Sequence, residues 1–336
     1  MNGAAPKPRR NDVSEFDLIE LIRQRTAQPR SDVVLGIGDD AALLQPPPGQ
    51  QLVACTDTLV AGVHFPHDTA PEDIGWKSLA VNLSDLAAMG AEPAWVMLAL
   101  TMPHANVHFV ERFADGFAEL AQKHEIALVG GDNTQGPLSI TVSAFGFVPE
   151  GQALLRSGAR VGDAVFVTGT LGDAAGALEM LRDRGPGTGD RVNSVLNLLP
   201  RLHSPEPRIA AGLALRGIAN ACIDVSDGLL ADLGHICRAS NVGAEIEANA
   251  LPISQSLHQA FAPELCRDFA LAGGDDYELC FTASEENAQR VAEAFSQLDC
   301  GVARIGRIVA EPGVRVLDEN GAAVETPRRG WQHFAP

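Results

Sequence analysis

Four short acidic phrases recur at the ends of apolar segments: Gly38-Asp39-Asp40, Gly131-Asp132-Asn133, Asp224-Val225-Ser226-Asp227-Gly228 and Gly273-Gly274-Asp275-Asp276. Asp40 follows VVLGIG, Asp57 follows LVACT, Asp132 follows IALVGG and Asp224 follows ACI, while Asp85 sits inside SLAVNLSDLAAMG. A carboxylate buried in such surroundings without a partner is costly, so each position calls for one. A hard divalent cation satisfies several at once, and Mg2+ commonly combines a few carboxylates with phosphate oxygens. Asn82 and Asp85, three apart on a predicted helix, share one face. A single Asp after a strand is most often a cap or turn residue, and Asp163 and Asp173 read that way; Asp227-Gly228 reads equally as a plain turn. Five aspartates beside glycines or inside apolar runs favour an acidic, metal-dependent site for a phosphorylated ligand.

Charge points the same way. The chain carries 25 Lys+Arg against 43 Asp+Glu, a formal net charge of -18. That disfavours a nucleic-acid-binding protein, which needs a basic surface. If the ligand is anionic, metal cations must offset the repulsion. Several phosphate chemistries are excluded by missing motifs. There is no GxxxxGK[ST], no protein-kinase HRD or DFG set, no GxSxG and no HExxH. Gly36-Ile37-Gly38 opens like a dinucleotide fingerprint, but Asp39 and Asp40 stand where the third glycine and the helix belong.

Other residues carry weaker signals. His64, after the strand-like TLVAGV, reads as structural or exposed. Trp331, in RRGWQHF, reads as a core anchor. Arg156 lies at the expected domain junction, where an arginine binds a carboxylate or a phosphate. The turn from Thr168 to Asp173 enters a helix whose first amides suit an anion, although its glycines suit helix packing equally. The six cysteines form no CxxC pair and read as reduced thiols of a cytoplasmic protein.

These residues need a scaffold, and 336 residues with 46% hydrophobic content suffice for one large domain or two ordinary ones. Residues 1–14 read as a disordered leader, with no apolar segment that would make a signal peptide and no membrane-length run elsewhere. Helices are expected at Glu15–Gln28 behind a Ser14 cap, Pro71–Gly90, Val107–His124, Arg208–Arg216 and Leu229–Ala239. Strands are expected at Val33–Ile37, Ala41–Leu44, Leu52–Thr56, Trp95–Thr101, Ile126–Val129, Leu138–Val148, Asp163–Thr168 and Ala221–Val225. Arg182–Asp190 reads as a solvated loop. The change of texture near Pro149–Val161 divides an α/β domain at 15–150 from an α+β domain at 151–336.

Six phrases together resemble the thiamine-monophosphate kinase family, within the superfamily of aminoimidazole ribonucleotide synthetase. They are GIGDDAALL, TDTLVAGVHF, VNLSDLAAMGAEP, GGDNT, IDVSDGL and GGDDYELCF. The resemblance runs from about Glu15 to Phe334. It implies the two-domain aminoimidazole ribonucleotide synthetase-like fold, a homodimer pairing through the N-terminal domain, and transfer of the γ-phosphoryl of ATP to thiamine monophosphate. By the same resemblance Asp40, Cys55, Thr56, Asp57, Asp85, Asp132, Asp224 and Asp227 are expected to hold several Mg2+ ions, with Asp57, Asp85 and Asp132 the most critical, and K+ is a further candidate cation. Gly131, Asp132, Arg156 and Ser226 are expected at the nucleotide, and His64, Asp275 and Trp331 at the thiamine phosphate. Two positions depart from the family's usual pattern. Cys55 replaces a frequent serine, which a backbone-carbonyl contact would tolerate. Asp275 replaces the glutamate of GGED and is one methylene shorter.

Rival readings remain on the sequence alone. Another enzyme of the superfamily is the nearest, although the hydrogenase-maturation branch ends in a cysteine and this chain ends in Phe334-Ala335-Pro336. Selenophosphate synthetase needs a reactive residue near the N-terminus, and no cysteine precedes Cys55. A non-catalytic sensor would use the same carboxylates. A phosphatase of the DxD type is disfavoured by the spacing of Asp224 and Asp227.

Overall fold

A computed structural model of the chain describes residues 14–182 and 189–326. In chain order the first elements are α1 (Glu15–Arg25), β1 (Val33–Leu35), β2 (Leu43–Leu44), β3 (Gln50–Val60), α2 (Pro71–Ala88), β4 (Glu92–Met102), α3 (Val107–Lys123), β5 (Ala127–Gln135) and β6 (Ser139–Pro149). Then follow β7 (Ala164–Thr168), α4 (Asp173–Arg182), α5 (Gly189–His203), α6 (Ile209–Ala214), β8 (Ala221–Val225), α7 (Leu229–Ser240) and β9 (Gly243–Glu247). The chain closes with α8 (Gln255–Ala260), α9 (Pro263–Ala272), β10 (Glu278–Ala283), α10 (Ala288–Phe295), β11 (Val302–Val309) and β12 (Gly313–Leu317). The contacts divide into two compact units. The first takes residues up to Pro47, Thr56–Leu79 and Ala94–Ala144; the second takes Pro48–Cys55, Ala80–Pro93 and the chain from Phe145 onward.

Helix α1 begins with a capping box. Ser14 Oγ accepts from the Asp17 amide, and the Asp17 carboxylate accepts from the Ser14 amide at 2.9 Å. In the first unit α2 and α3 touch through glycines. A Cβ on Gly75 would stand 2.1 Å from the Phe113 carbonyl, and one on Gly116 would stand 1.9 Å from that of Glu72. The four-stranded sheet has the order β3-β6-β4-β5, with β4 and β5 parallel. Its register slips between Val96 and Met97, a bulge that leaves Ala99 opposite Asp132.

The second unit holds a six-stranded sheet in the order β12-β9-β11-β7-β10-β8. Pairing is antiparallel except between β12 and β9. Strands β7, β8 and β10 are buried along their whole length, which is why they read as unbroken apolar runs. Helix α7 packs Leu229, Leu233 and Ile236 into the core they share with β8 and β10.

Three expectations need correction. Strand β5 runs six residues past Val129, because pairing with β4 carries it through Gly130-Gly131, which read as a strand end. Strand β3 continues to Val60, so Asp57 lies within the strand rather than behind it. Helix α5 was not expected, and it contains Pro200, which reads as a breaker. The expected loop at 182–190 lies mostly outside the described residues, as do the leader before Ser14 and Trp331.

Candidate functional site

In the first unit the predicted residues sit on strands and on the turns after β1 and β3. Asp39 and Asp40 are exposed, and the Asp40 amide donates to Asp39 Oδ1 at 2.8 Å. Thr56 Oγ1 donates to the Val142 carbonyl at 3.1 Å and lies 2.9 Å from Ser143 Oγ, tying β3 to β6. Asp57, next in the strand, is half-buried. His64 Nδ1 accepts from the Val60 amide at 2.9 Å, which places the proton of the neutral ring on Nε2. Lys77 Nζ donates to the His64 carbonyl at 3.3 Å, fixing the turn from a second side.

Gly131 and Asp132 share β5. No other residue fits at Gly131, since a Cβ would stand 1.8 Å from the Leu98 carbonyl. Asp132 is exposed, and Thr134 Oγ1 donates to its Oδ2 at 2.8 Å. A cavity of about 60 Å3 lies here, lined by Ile22, Ile37, Leu98, Gly131, Asp132 and Asn133. A second cavity of about 310 Å3 is lined by Glu15, Leu18, Met102, His104, Asn133 and Gln135. Asn133 borders both, and its Oδ1 is buried with no hydrogen-bond partner. Its only sequence signal was its place directly after Gly131-Asp132.

The second unit holds the other predicted residues that the structure describes. Cys55 Sγ lies 3.4 Å from the carbonyl of Asn82, a fully buried residue of α2. Ser84 Oγ, further along α2, donates to Asp224 Oδ2 at 2.9 Å, and Asp224 is itself buried. Asp85 follows Ser84 and is half-buried. The loop after β8 is built around Asp232, whose Oδ2 accepts from the amides of Ser226, Asp227 and Gly228 at 3.0, 3.1 and 3.1 Å. Burial, with Asp224 and Asp227 nearby, pushes the Asp232 carboxyl up to about 7. This loop meets the last acidic phrase: the Asp275 amide donates to the Ser226 carbonyl and the Tyr277 amide to that of Val225, both at 2.8 Å. Arg156 is exposed, and its carbonyl accepts from Ser240 Oγ at 3.4 Å.

Half of the last acidic phrase serves the fold. Asp276 is buried and receives the Gly172 amide at 3.0 Å on each oxygen. Burial lifts its carboxyl well above the usual range. Glu278 is fully buried, with Thr168 Oγ1, Arg201 Nη2 and Arg208 Nη2 each at 2.6 Å from its oxygens. Burial alone would raise the Glu278 carboxyl, and the Arg208 and Arg201 charges bring it below its ordinary value. A Cβ on Gly169 would stand 2.1 Å from Glu278 Oε1. The turn from Thr168 to Asp173 therefore packs against Glu278 and donates the Gly172 amide to Asp276. Asp232, Glu278 and Tyr277 were not singled out from sequence, and Asp276 only as part of the last acidic phrase; the acidic ones resemble any other carboxylate until burial is known.

Among the described residues no group of three or more His, Cys, Asp or Glu side chains is gathered closely enough to hold a metal ion by itself. The donor chemistry nevertheless fits a hard cation. Apart from the Cys55 thiol, every side chain expected at the metals offers oxygen, and Mg2+ completes its shell with phosphate and water oxygens.

The sequence matches the AIR synthase related protein N-terminal domain over residues 38–148 and the corresponding C-terminal domain over 160–319. The chain is 47% identical over 321 residues to the thiamine-monophosphate kinase of Escherichia coli, covering 96% of this chain and 98% of that one. It superposes on the crystal structure of the thiamine-monophosphate kinase from Stenotrophomonas maltophilia with a TM-score of 0.85 and 52% identity, covering 93% of this chain and 98% of that one. A structure described as AaThiL complexed with AMPPCP and TMP aligns with a TM-score of 0.75 and 34% identity, over 98% of this chain and 100% of that one.

Proposed function

We infer that this chain, which belongs to the AIR synthase related family and within it to the thiamine-monophosphate kinases, phosphorylates thiamine monophosphate with ATP to give thiamine diphosphate and ADP. One observation carries the reading: near-full-length likeness to thiamine-monophosphate kinases, including a relative that binds an ATP analogue and TMP together. It places the chain in thiamine diphosphate biosynthesis.

The chemistry suits the residues. The acceptor is a phosphate oxygen, already anionic near neutral pH, so no strong general base is required. The difficulty is to bring two polyanions together on a protein of net charge -18. Magnesium, when bound, supplies charge neutralisation and alignment for an in-line transfer. Asp40, Cys55, Thr56, Asp57, Asp85, Asp132, Asp224 and Asp227 are the residues assigned to hold several such ions, with K+ as an accessory cation. Gly131 lets backbone approach the nucleotide, and Arg156 and Ser226 bind its phosphates. His64, Asp275 and Trp331 hold the thiamine phosphate, Trp331 by stacking on a cationic ring.

Further features complete the proposal. The domains divide at 150/151, a boundary supported by the matched ranges on either side of it. The protein is a homodimer paired through the N-terminal domain, which would cover exposed apolar side chains such as Val34, Leu43 and Met97. It works in the cytoplasm, as the free thiols among the described cysteines support. No described helix is long and apolar enough to cross a membrane.

The test is a discontinuous assay of thiamine diphosphate and ADP from thiamine monophosphate and Mg-ATP, with labelled ATP to trap any phosphoenzyme. The expected result is one thiamine diphosphate per ADP and no labelled phospho-aspartate. ADP with inorganic phosphate and no thiamine diphosphate would move the chain to another reaction of its family.

A further inference from the structure

The segment from Gly273 to Glu278 is held in place at several points. The amides of Asp275 and Tyr277 bond to the carbonyls of Ser226 and Val225, the Asp276 carboxylate receives Gly172, and Glu278 lies under Arg201 and Arg208. Asp275 has φ 68° and Tyr277 has φ 50°, left-handed conformations that residues with side chains adopt rarely and that persist only where the surroundings enforce them. The side chains of Asp276 and Glu278 are buried, and that of Asp275 is half-buried. The Tyr277 ring is buried, and its hydroxyl donates to Asp275 Oδ1 at 2.8 Å.

We propose that Tyr277 is a positioning residue, whose phenol holds the Asp275 carboxylate in the orientation that receives the cationic thiamine end of the substrate. The proposal rests on the reading above, which puts Asp275 at the thiamine phosphate. A carboxylate repels the phosphate end of that substrate and attracts its thiazolium and aminopyrimidine end, so orientation decides whether it helps or hinders. With the backbone fixed, the remaining freedom of Asp275 is rotation about its two side-chain torsions. A hydroxyl bonded to Oδ1 restricts that rotation and fixes the plane of the carboxylate. The restraint matters more for Asp275 than for a glutamate, because the shorter arm cannot compensate for a misdirected carboxylate by reaching.

The test uses Tyr277→Phe in the full chain, with Asp275→Ala and the double variant. Loss of a hydrogen bond to a charged group should raise KM for thiamine monophosphate about tenfold, leaving KM for ATP and the thermal midpoint unchanged. In the Asp275→Ala background the same change should have no further effect, because the two residues act as one unit. A KM for thiamine monophosphate that does not move, in a wild-type protein that turns over, overturns the proposal. So do effects that simply multiply in the double variant. Tyr277 is the only tyrosine in the chain, so a [13Cζ]tyrosine label gives a single resonance that needs no turnover. Asp275→Ala should shift it; an unmoved resonance removes the contact itself. If the wild type makes no thiamine diphosphate while the resonance shifts, the substrate reading has failed and the contact stands.

Discussion

The acidic phrases look alike in sequence but live in opposite environments. In the first unit Asp40 and Asp132 are exposed, bonded only to near neighbours in the chain where a bond is described. In the second, Asp224, Asp232, Asp276 and Glu278 are buried and receive a serine hydroxyl, three amides, one amide and two guanidinium groups respectively. An exposed carboxylate contributes little to stability and stays available to a ligand. A buried one is committed to the groups that satisfy it. The same residue type is thus left open to solvent in one unit and, in large part, holds loops in the other. Asp85, Asp227 and Asp275, half-buried in the second unit, are the exceptions to this division.

Glu278 offers the largest effect by which to break the contrast. Glu278→Gln removes the counter-charge from Arg208 and leaves Arg201 only the more distant Asp173 carboxylate at 3.9 Å, and should cost about 3–5 kcal/mol in a urea titration. Because the Glu278 carboxyl is lowered in the fold, its stabilisation is present above the ordinary glutamate range and is lost as pH falls through the folded value. A variant as stable as the wild type but inactive would assign Glu278 to chemistry instead. Gly131→Ala comes next. The clash with Leu98 must be relieved by moving β5, which should cost about 2–4 kcal/mol and weaken ATP binding together. Stability lost with the ATP affinity intact would detach Gly131 from the nucleotide.

Much of this contrast was hidden in the sequence, and for a physical reason. Period and punctuation placed α1, α2, α3, β6, β8 and α7 within a few residues, since capping, apolar spacing and turn residues act locally. Asp57 and Asp132 were found by their neighbours, yet read as strand ends when both lie inside strands, because pairing across a sheet overrides local breakers. What separates Asp275 from Asp276 is which one faces Gly172, a contact between residues 104 apart that no local pattern contains. Asn133 and Tyr277 likewise matter only through partners or cavities formed by the fold.

Smaller effects sharpen the division. Ser84→Ala removes the donor to Asp224 and should cost about 1–2 kcal/mol, with a change in activity if Asp224 also serves the metals. Unchanged stability and activity would place Asp224 outside both roles. Asp276→Asn keeps an acceptor for Gly172 and removes a buried acid. Since burial raises the Asp276 carboxyl, the fold holds its proton longer than the unfolded chain, so this group makes stability fall as pH rises above the ordinary aspartate range. The variant should therefore gain thermal midpoint over the wild type at pH 8 relative to pH 5. A loss at both pH values would mean that the charge itself is needed.

The most direct test compares wild type and Asp57→Asn in the assay for thiamine diphosphate, with a urea titration of each. The account predicts at least a hundredfold loss of kcat, roughly the cost of removing a ligand or charge that acts in the transition state, at unchanged unfolding free energy. Product formation by Asp57→Asn at the wild-type rate would keep the activity and contradict the assignment of Asp57 to the metals that carry the chemistry.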